Sequence, residues 1–325
     1  MLASSTHSLR RIAAHLRASL CAMSDEEGEK PAHLRAALAG DVSAVEAWLS
    51  DGGDVNLAPS VQQYDPYGSL LSAAILGRQT QMREYLVARG ARCGKYDVYI
   101  HCAQILTSPS YLDVARLLIE HGADPAMGNE LFSTWGAQHK LAVMASQDAT
   151  TLKRRATRCA LLIRLLVEKG AAVDPMLGGN TRFAFGTTSL MVAAFYSAPV
   201  VYLRELLRLG ADLSATNGRG ESALSLARST LHDPAALGDL EDKQAVFFFL
   251  RDVSAAGTFK RYVNEPRKSL LLLSKLCERG RATAPRRGAL ARLFPTRRSR
   301  RAGEGLPDVL FWKVLSFWRT ERDGP

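Results

Sequence analysis

The stretch VARLLIEHGAD, at Val114–Asp124, decides the fold of this chain because variants of it occur four more times. Within it, Val114, Leu117 and Leu118 lie on one face of a predicted helix. Gly122 then supplies the left-handed residue that commonly ends a helix. A unit of this length cannot bury its apolar face alone, so the copies are predicted to stack into an all-α array. The other copies are VSAVEAWLSDGGD (Val42–Asp54), MREYLVARGAR (Met82–Arg92), LIRLLVEKGAA (Leu162–Ala172) and LRELLRLGAD (Leu203–Asp212).

The spacing of the capping glycines predicts an irregular array. The intervals between successive glycines are 38, 32, 48 and 40 residues, and the longest ends at Gly170. That interval contains Ala126–Arg158, which lacks the helix-and-glycine pattern and is predicted to be an insertion. Loops inserted on one face of a solenoid are common sites of binding, although many act only as spacers. The predicted capping glycines are Gly52, Gly90, Gly122, Gly170 and Gly210.

Two segments outside these copies resemble the first helix of an ankyrin repeat. Gly186–Ala193, GTTSLMVA, is similar to the family pattern G-x-T-P-L-H-x-A and retains its Thr, Leu and Ala. Gly220–Ala227, GESALSLA, is a second match. The resemblance implies an ankyrin-type helical-hairpin solenoid of about six irregular repeats over residues 31–253. Ser189 and Met191 replace the family's Pro and His, which predicts less rigid copies.

The same resemblance implies a concave binding face, formed by the first helices and by loops that project between repeats. We therefore expect a non-enzymatic scaffold that binds a protein partner on this face. Tyr, Trp and Arg are enriched at binding hot spots, and several such residues fall in the projecting loops. The alternative is that some of these aromatic side chains pack inward between repeats. The candidate partner-binding residues are Tyr64, Tyr67, Tyr96, Trp135, Arg182, Phe183, Phe185 and Arg219.

The sequence carries no motif for catalysis, metal binding or a cofactor. Its seven histidines include no HExxH, His101 beside Cys102 has no further ligand nearby, and the glycine-rich strings lack GK[ST]. Five scattered cysteines without a CxxC favour a reducing compartment. No apolar run approaches the ~20 residues that span a bilayer. We therefore expect a soluble monomer of the cytoplasm or nucleus, with no catalytic, metal or cofactor site.

The positive charge of the chain is concentrated in one segment. The chain holds 42 Lys and Arg, 32 Asp and Glu and a net charge of +10, and Thr258–Gly303 alone holds 14 basic and two acidic residues. Residues 284–301, APRRGALARLFPTRRSRR, are a candidate for binding nucleic acid, an acidic membrane or an acidic partner, or for nuclear import. A solvated linker is the alternative, because such charge runs are often disordered. Phe294 is the sole aromatic residue there, which gives base stacking little support.

The C-terminal region contains two apolar helical segments. Leu306–Trp318, LPDVLFWKVLSFW, has apolar residues at helical spacing behind a Leu-Pro start. Together with Tyr262–Arg281 it resembles the SOCS box that follows ankyrin repeats in ubiquitin-ligase adaptors, and the Leu-Pro start also resembles an F-box. Leu272 and Arg281 depart from the SOCS-box pattern. A helix that caps the array is the alternative. Pro266 and Arg267 match the lead-in, and the candidate adaptor contacts are Leu273, Cys277, Leu306, Pro307, Leu310, Phe311 and Leu315.

These observations divide the chain into residues 1–30, a repeat domain at 31–253, a helix with a basic linker at 254–305 and a C-terminal helix at 306–325. Residues 1–22 contain three arginines, several Ser and Ala and no acidic residue, which is the composition of an organelle transit peptide. An ordinary basic helix and a translation start at Met23 are the alternatives.

Overall fold

The structure is a computed structural model that describes residues 31–57, 68–126, 128–129, 135–136, 152–175, 184–231, 233, 240–283, 294 and 308–317. These residues form mostly helices and turns, which confirms the all-α prediction. A short antiparallel pair, β1 (Gly128–Asn129) with β2 (Trp135–Gly136), interrupts the helices. The helices are α1 (Ala32–Ala39), α2 (Val42–Ser50), α3 (Leu70–Leu76), α4 (Thr80–Ala88), α5 (Asp97–Ile100), α6 (Cys102–Thr107), α7 (Tyr111–Glu120), α8 (Leu152–Glu168), α9 (Ser189–Phe195), α10 (Val200–Leu209), α11 (Ala223–Leu231), α12 (Leu240–Ala256), α13 (Phe259–Glu278) and α14 (Asp308–Phe317).

The chain divides into two compact units, and the boundary lies within α12. Unit 1 is Met1–Phe248 and contains α1 to α11 and the first half of α12. Unit 2 is Phe249–Pro325 and contains the rest of α12 together with α13 and α14. Unit 1 therefore holds most of the predicted repeat region, and unit 2 holds the predicted tail.

Unit 1 is built from pairs of helices joined by short turns. α1 packs on α2, α3 on α4, α6 on α7, and α9 on α10. First helices of neighbouring pairs also touch, as α1 touches α3 and α9 touches α11. Second helices do the same, as α2 touches α4 and α8 touches α10. This helix-on-helix arrangement gives each apolar face a partner, so the core of unit 1 lies between successive pairs.

The glycines predicted to end the second helices adopt the left-handed conformation. The backbone angle φ is 92° at Gly52, 78° at Gly90, 114° at Gly122, 102° at Gly170 and 105° at Gly210. A side chain would strain the backbone at these angles, so glycine ends each helix at low cost. This prediction is confirmed.

Two segments of unit 1 differ from a regular helical hairpin. Residues Asp97–Leu106 contain two short helices, α5 and part of α6, which are separated at His101. The insertion predicted at Ala126–Arg158 is shorter than expected, because α8 begins at Leu152. The segment from Leu152 has no Gly or Pro and is rich in Leu, Ala, Lys and Arg, which are good helix formers.

Two first helices are buried along almost their whole length. Every residue from Leu70 to Ile75 in α3 is buried, and so is every residue from Ser189 to Ala194 in α9. Small residues in both helices let their neighbours approach closely. The side chain of Thr188 accepts a hydrogen bond from the backbone N–H of Met191 at 3.3 Å and so caps α9.

A buried polar network joins the starts of α3 and α5. The Ser69 hydroxyl donates to Asp97 Oδ2 at 2.6 Å, and the Gly94 N–H donates to the same oxygen at 2.8 Å. The Ser72 hydroxyl donates to the Ser69 carbonyl at 2.8 Å and lies 3.3 Å from His101 Nε2. Satisfied buried groups of this kind fix the relative positions of the elements that carry them. The network therefore holds two consecutive hairpins in register.

Unit 2 has a small core of its own between α13 and α14. Cys277, Phe294, Phe311 and Leu315 are buried together there. The rings of Phe294 and Phe311 meet edge to face, with centroids 6.0 Å apart. The Arg267 Nε donates to the Leu315 carbonyl at 3.0 Å and ties the two helices together. Phe294 is thus a core residue within the basic segment 284–301, for which a solvated linker was the alternative interpretation.

The predicted C-terminal helix forms at Asp308–Phe317 but buries only part of its predicted apolar face. Phe311 and Leu315 are buried, whereas Leu310 is 48% exposed and Val314 is 40% exposed. Its buried stripe is therefore narrower than the sequence pattern predicts. Leu306, Pro307 and Trp318 lie outside the described residues.

Candidate partner-binding surface

Two neighbouring loops of unit 1 carry Phe185 and Arg219, which the sequence analysis predicted to contact a partner. The Phe185 side chain is 68% exposed, although phenylalanine is an apolar residue that usually packs inside. Arg219 is also exposed, and its side chain forms no ion pair with the described residues. We call residues 184–187, before α9, and 216–221, before α11, the finger pair. It presents an aromatic ring and a guanidinium to solvent.

A backbone hydrogen bond fastens the two loops of the finger pair to each other. The Gly218 N–H donates to the Phe185 carbonyl at 2.7 Å. A Cβ on residue 218 would lie 3.3 Å from that carbonyl oxygen, which is closer than most such contacts. Glycine at this position therefore allows the two backbones to approach. The backbone under Phe185 is consequently held in place while its ring remains exposed.

The buried side chain of Asn217 organises the second loop. Its Oδ1 accepts from the N–H groups of Arg219 and Glu221, both at 3.0 Å. Its Nδ2 donates to Glu221 Oε2 at 2.9 Å and lies 3.4 Å from Thr187 Oγ1 on the first loop. A short amide side chain commonly bonds its own loop in this way. The loop that carries Arg219 is thus preorganised, which reduces the entropic cost of binding.

The loop after α10 carries two carboxylates in different environments. The Asp212 N–H donates to Asp174 Oδ2 at 2.6 Å and joins the ends of two successive repeats. The pKa of Asp174 is raised to about 6, chiefly by burial and to a smaller extent by the charge of Asp212, while the backbone hydrogen bond from Asp212 opposes the rise. Hydrogen bonds from the hydroxyl and N–H of Ser214 lower the pKa of Asp212. Asp174 therefore titrates closer to neutral pH than an ordinary carboxylate.

Of the six remaining predicted partner-binding residues, the structure describes two. Tyr96 is half-buried, and the ammonium of Lys95 lies 4.8 Å from its ring centroid, so only part of this side chain is accessible. Trp135 lies in β2 and pairs with Asn129 in β1. Tyr64, Tyr67, Arg182 and Phe183 lie outside the described residues. The structure therefore brings together Phe185 and Arg219 and leaves the others as predictions.

The sequence analysis did not identify Asn217 and Gly218 as the residues that build the finger pair. An Asn-Gly dipeptide is a recognised turn signal, and Asn217–Gly218 is such a dipeptide. Asn217 stabilises the finger pair through hydrogen bonds to Thr187 and Glu221, and Thr187 belongs to the preceding repeat. A turn signal alone does not reveal such a partner.

In unit 2 the predicted adaptor contacts lie in two environments. Cys277, Phe311 and Leu315 are core residues, Leu273 is half-buried against that core, and Leu310 is exposed. Three further large apolar side chains of unit 2 are also exposed, and they are Leu272 at 59%, Val309 at 78% and Val314 at 40%. The exposed side chains, rather than the core residues, are the ones that a partner can reach in this conformation.

Among the described residues, the metal-ligating side chains, the cysteines and the apolar helices provide no further candidate site. The described residues contain no cluster of three or more His, Cys, Asp or Glu that could hold a metal ion. Cys93, Cys102, Cys159 and Cys277 are free and buried, and burial raises the pKa of the Cys93 thiol. No helix among the described residues is both long and apolar enough to cross a membrane. The basic segment 284–301 lies outside them except for Phe294, so anion binding there stays a prediction.

Comparison with known proteins gives no family assignment. No protein-family model matches the chain, and no curated protein matches it. A solved structure of the predatory endopeptidase Bd0816 from Bdellovibrio bacteriovorus in complex with the immunity protein Bd3460 contains a similar chain. The sequence identity is 18%, the match covers 66% of this chain and 97% of that chain, and the TM-score is 0.39. At this TM-score the similarity supports no statement about function.

Proposed function

We propose that this protein is a non-enzymatic scaffold of the ankyrin-repeat type that binds a protein partner through the finger pair. The stacked hairpins and the five left-handed glycines support the repeat architecture. Thr188 supports it further, because this residue of the ankyrin-like pattern caps α9 as the pattern implies. The projecting loops before α9 and α11 then lie where the resemblance implies a binding face.

The single observation that carries the proposal is the exposed pair of Phe185 and Arg219 on a hydrogen-bonded backbone. An exposed phenylalanine on a fixed loop buries apolar area on binding without first having to be ordered. Arginine provides several donors for a partner's carboxylates or carbonyls. The burial of α3 and α9 leaves little of those first helices for contact, so the loops are the part of the concave face favoured for binding.

The test compares two double variants of the full chain. Phe185→Ala with Arg219→Ala is expected to weaken partner capture at least about tenfold, because truncated hot-spot residues commonly lose more than 1 kcal/mol each. Phe248→Ala with Arg251→Ala is the matched control, since it removes an exposed phenylalanine and an exposed arginine from α12. Each chain is immobilised, and bound proteins from cell extract are quantified by mass spectrometry against bare matrix.

Thermal melts followed by circular dichroism establish that both variants are folded, because surface substitutions of this kind change stability little. Proteins retained by the parent chain and the control variant, but lost from the finger-pair variant, support the proposal. Equal retention by all three chains would reject the finger pair as the binding surface.

A second candidate function is recruitment of ubiquitin-ligase machinery by unit 2. The observation that favours it is the pairing of α13 with α14 around a separate core while large apolar side chains remain exposed on both helices. Arg267 belongs to the lead-in of the SOCS-box-like segment, and it donates a hydrogen bond to the Leu315 carbonyl. This bond connects the lead-in to the later helix, α14. Exposed apolar groups on a small helical unit are typical of binding sites.

The adaptor candidate is tested by pull-down with purified elongin B–elongin C and with a Skp-type adaptor. Binding to the full chain is expected to be lost in Leu272→Ser with Leu310→Ser and retained in Leu57→Ser, which alters an exposed leucine of unit 1. A parent chain that retains neither adaptor at micromolar concentration would eliminate this candidate and leave the scaffold proposal unaffected.

A further inference from the structure

Arg78 occupies a turn position whose backbone favours glycine. Its φ is 57°, in the left-handed region, and it ends α3 with an N–H that donates to the Ile75 carbonyl at 3.1 Å. Gly40 ends α1 in the same conformation, with φ of 82°, and Ser197 follows α9 with φ of 53°. The turn therefore requires a left-handed residue but not an arginine. Backbone strain that persists at a residue with a better alternative is often associated with function.

The Arg78 side chain lines a groove of about 320 Å³ in unit 1. One wall is apolar and is formed by Leu34 and Leu38 of α1 with Leu76 of α3. The lining also includes polar side chains, among them Gln104 of α6 and Ser108. Concave apolar sites with a few convergent polar groups are the usual form of a binding pocket, and this volume is at the small end of their range. A groove of this volume can accommodate one or two side chains of a peptide.

Two polar side chains of the lining have capacity for a ligand. The Arg78 Nη2 donates to the Ser108 hydroxyl at 2.8 Å, and its guanidinium forms no ion pair with the described residues. Four of its five N–H donors are therefore left for other acceptors. The Gln104 Oε1 lies 2.6 Å from His101 Nδ1, while the Gln104 amide nitrogen has no hydrogen-bond partner among the described residues.

The charge of the groove selects an anionic ligand. Arg78 contributes a charged guanidinium to its lining, and no aspartate or glutamate is among the described residues that line it. A guanidinium beside an apolar wall binds a carboxylate more strongly than one in open solvent, because the apolar wall lowers the local dielectric constant. A ligand that combines an apolar side chain with a carboxylate complements both parts of this surface.

We propose that this groove is a second binding site, distinct from the finger pair, for a short acidic peptide segment of a partner protein. An apolar side chain of the peptide packs against Leu34, Leu38 and Leu76. An aspartate or glutamate within two residues of it accepts hydrogen bonds from the Arg78 guanidinium. The Gln104 amide donates to a backbone carbonyl of the same peptide. The site goes beyond the proposed function, because it specifies the chemistry of the bound segment.

The test uses a phage-displayed library of random 12-residue peptides, selected on the immobilised full chain. Enriched sequences are expected to place Asp or Glu within two residues of Leu, Ile, Met or Phe. The strongest peptide is then synthesised with a fluorescent label and titrated by fluorescence polarisation. Arg78→Gly is expected to raise its Kd at least tenfold, since a charged bidentate contact is lost. Arg78→Lys is expected to weaken binding less, because the charge remains without the planar fork.

The glycine variant also keeps the test independent of folding. It removes the side chain and relieves the left-handed backbone, so the turn is preserved. Ser197→Gly is the matched control at the same position of the turn after α9, and it is expected to leave the Kd unchanged. Replacing the acidic residue of the peptide by its amide is expected to abolish the difference between the parent chain and Arg78→Gly.

Any of three results from the selection and the titrations would overturn the proposal: enriched peptides without an acidic residue, a Kd unaffected by Arg78→Gly, or a Kd raised equally by Ser197→Gly. The variant Phe185→Ala with Arg219→Ala separates the two sites, because it is expected to retain the peptide. Loss of the peptide in that variant would place the peptide on the finger pair and would also overturn the groove assignment.

Discussion

Replacing Asp174 by asparagine is expected to stabilise the protein at neutral pH and to have a smaller effect in acid. Asp174 is half-buried, its Oδ2 accepts from the Asp212 N–H at 2.6 Å, and its buried Oδ1 has no hydrogen-bond partner among the described residues. Its pKa is raised from 3.8 to about 6, first by burial and then by the charge of Asp212. The folded protein therefore disfavours the ionised carboxylate, which an unfolded chain accepts readily.

The sign and size of the effect follow from proton linkage. Between pH 3.8 and 6 the folded state holds a proton that the unfolded state has released, so the free energy of unfolding falls as pH rises. The loss of unfolding free energy is complete above pH 6, where the carboxylate is ionised in both states, and it vanishes below pH 3.8, where the group is protonated in both states. A shift of this size corresponds to about 3 kcal/mol at 1.36 kcal/mol per pKa unit. Partial solvent screening of a half-buried group reduces this to about 1–2 kcal/mol.

Asparagine keeps an oxygen acceptor for the Asp212 N–H and removes the charge, so Asp174→Asn is expected to recover most of that free energy. Urea unfolding followed by circular dichroism measures it as a higher midpoint at pH 7.5, with about a third of the gain at pH 4.5. Asp212→Asn is the matched control of opposite sign, because Ser214 lowers the pKa of Asp212. A midpoint that does not rise at pH 7.5, or that rises equally at both pH values, would refute this reasoning.

Three further substitutions test the packing and polar contacts. Gly77→Ala is expected to cost about 1–3 kcal/mol in urea unfolding, because its φ of −72° accepts any residue but the new methyl would meet the backbone carbonyl of Leu38. Glu205→Gln is expected to lower the unfolding free energy by about 1–3 kcal/mol, since this buried carboxylate bonds two arginines at 2.7 and 2.9 Å. Phe311→Ala is expected to cost unit 2 about 3–5 kcal/mol, seen as faster hydrogen exchange in α13, whereas Leu310→Ala should change exchange little. Exchange that is equally fast in the last two variants would contradict the core assignment.

The capping glycines could be predicted from the sequence because their requirement is local. A left-handed residue after an apolar helical stretch is almost always glycine, so Gly122 and Gly210 identify both the helix and its end. The all-α class follows from the same repeated pattern. These predictions depend on φ preferences and on helical periodicity, and neither requires knowledge of a distant contact.

The turns at Arg78 and Ser197 could not be predicted in this way. They have the same backbone conformation as Gly40, but their side chains carry no signal for a left-handed residue. The hairpin geometry around them imposes the conformation. The left-handed conformation costs a non-glycine residue about 1–2 kcal/mol, and tertiary contacts can outweigh a local preference of that size. The burial of Phe294 could not be predicted either, because it depends on contact with Phe311, which is 17 residues further along the chain.

The two proposed binding surfaces share one physical origin. First helices such as α3 and α9 are buried along almost their whole length, so most of their residues contribute packing rather than contact area. The side chains that a partner can reach therefore lie at the ends of these helices, where the chain turns. At their start, the finger pair exposes Phe185 and Arg219 on a hydrogen-bonded frame. At their end, Arg78 points from a strained turn beside an apolar groove. Buried helices that hold exposed turns in fixed positions provide the rigid support that selective binding requires.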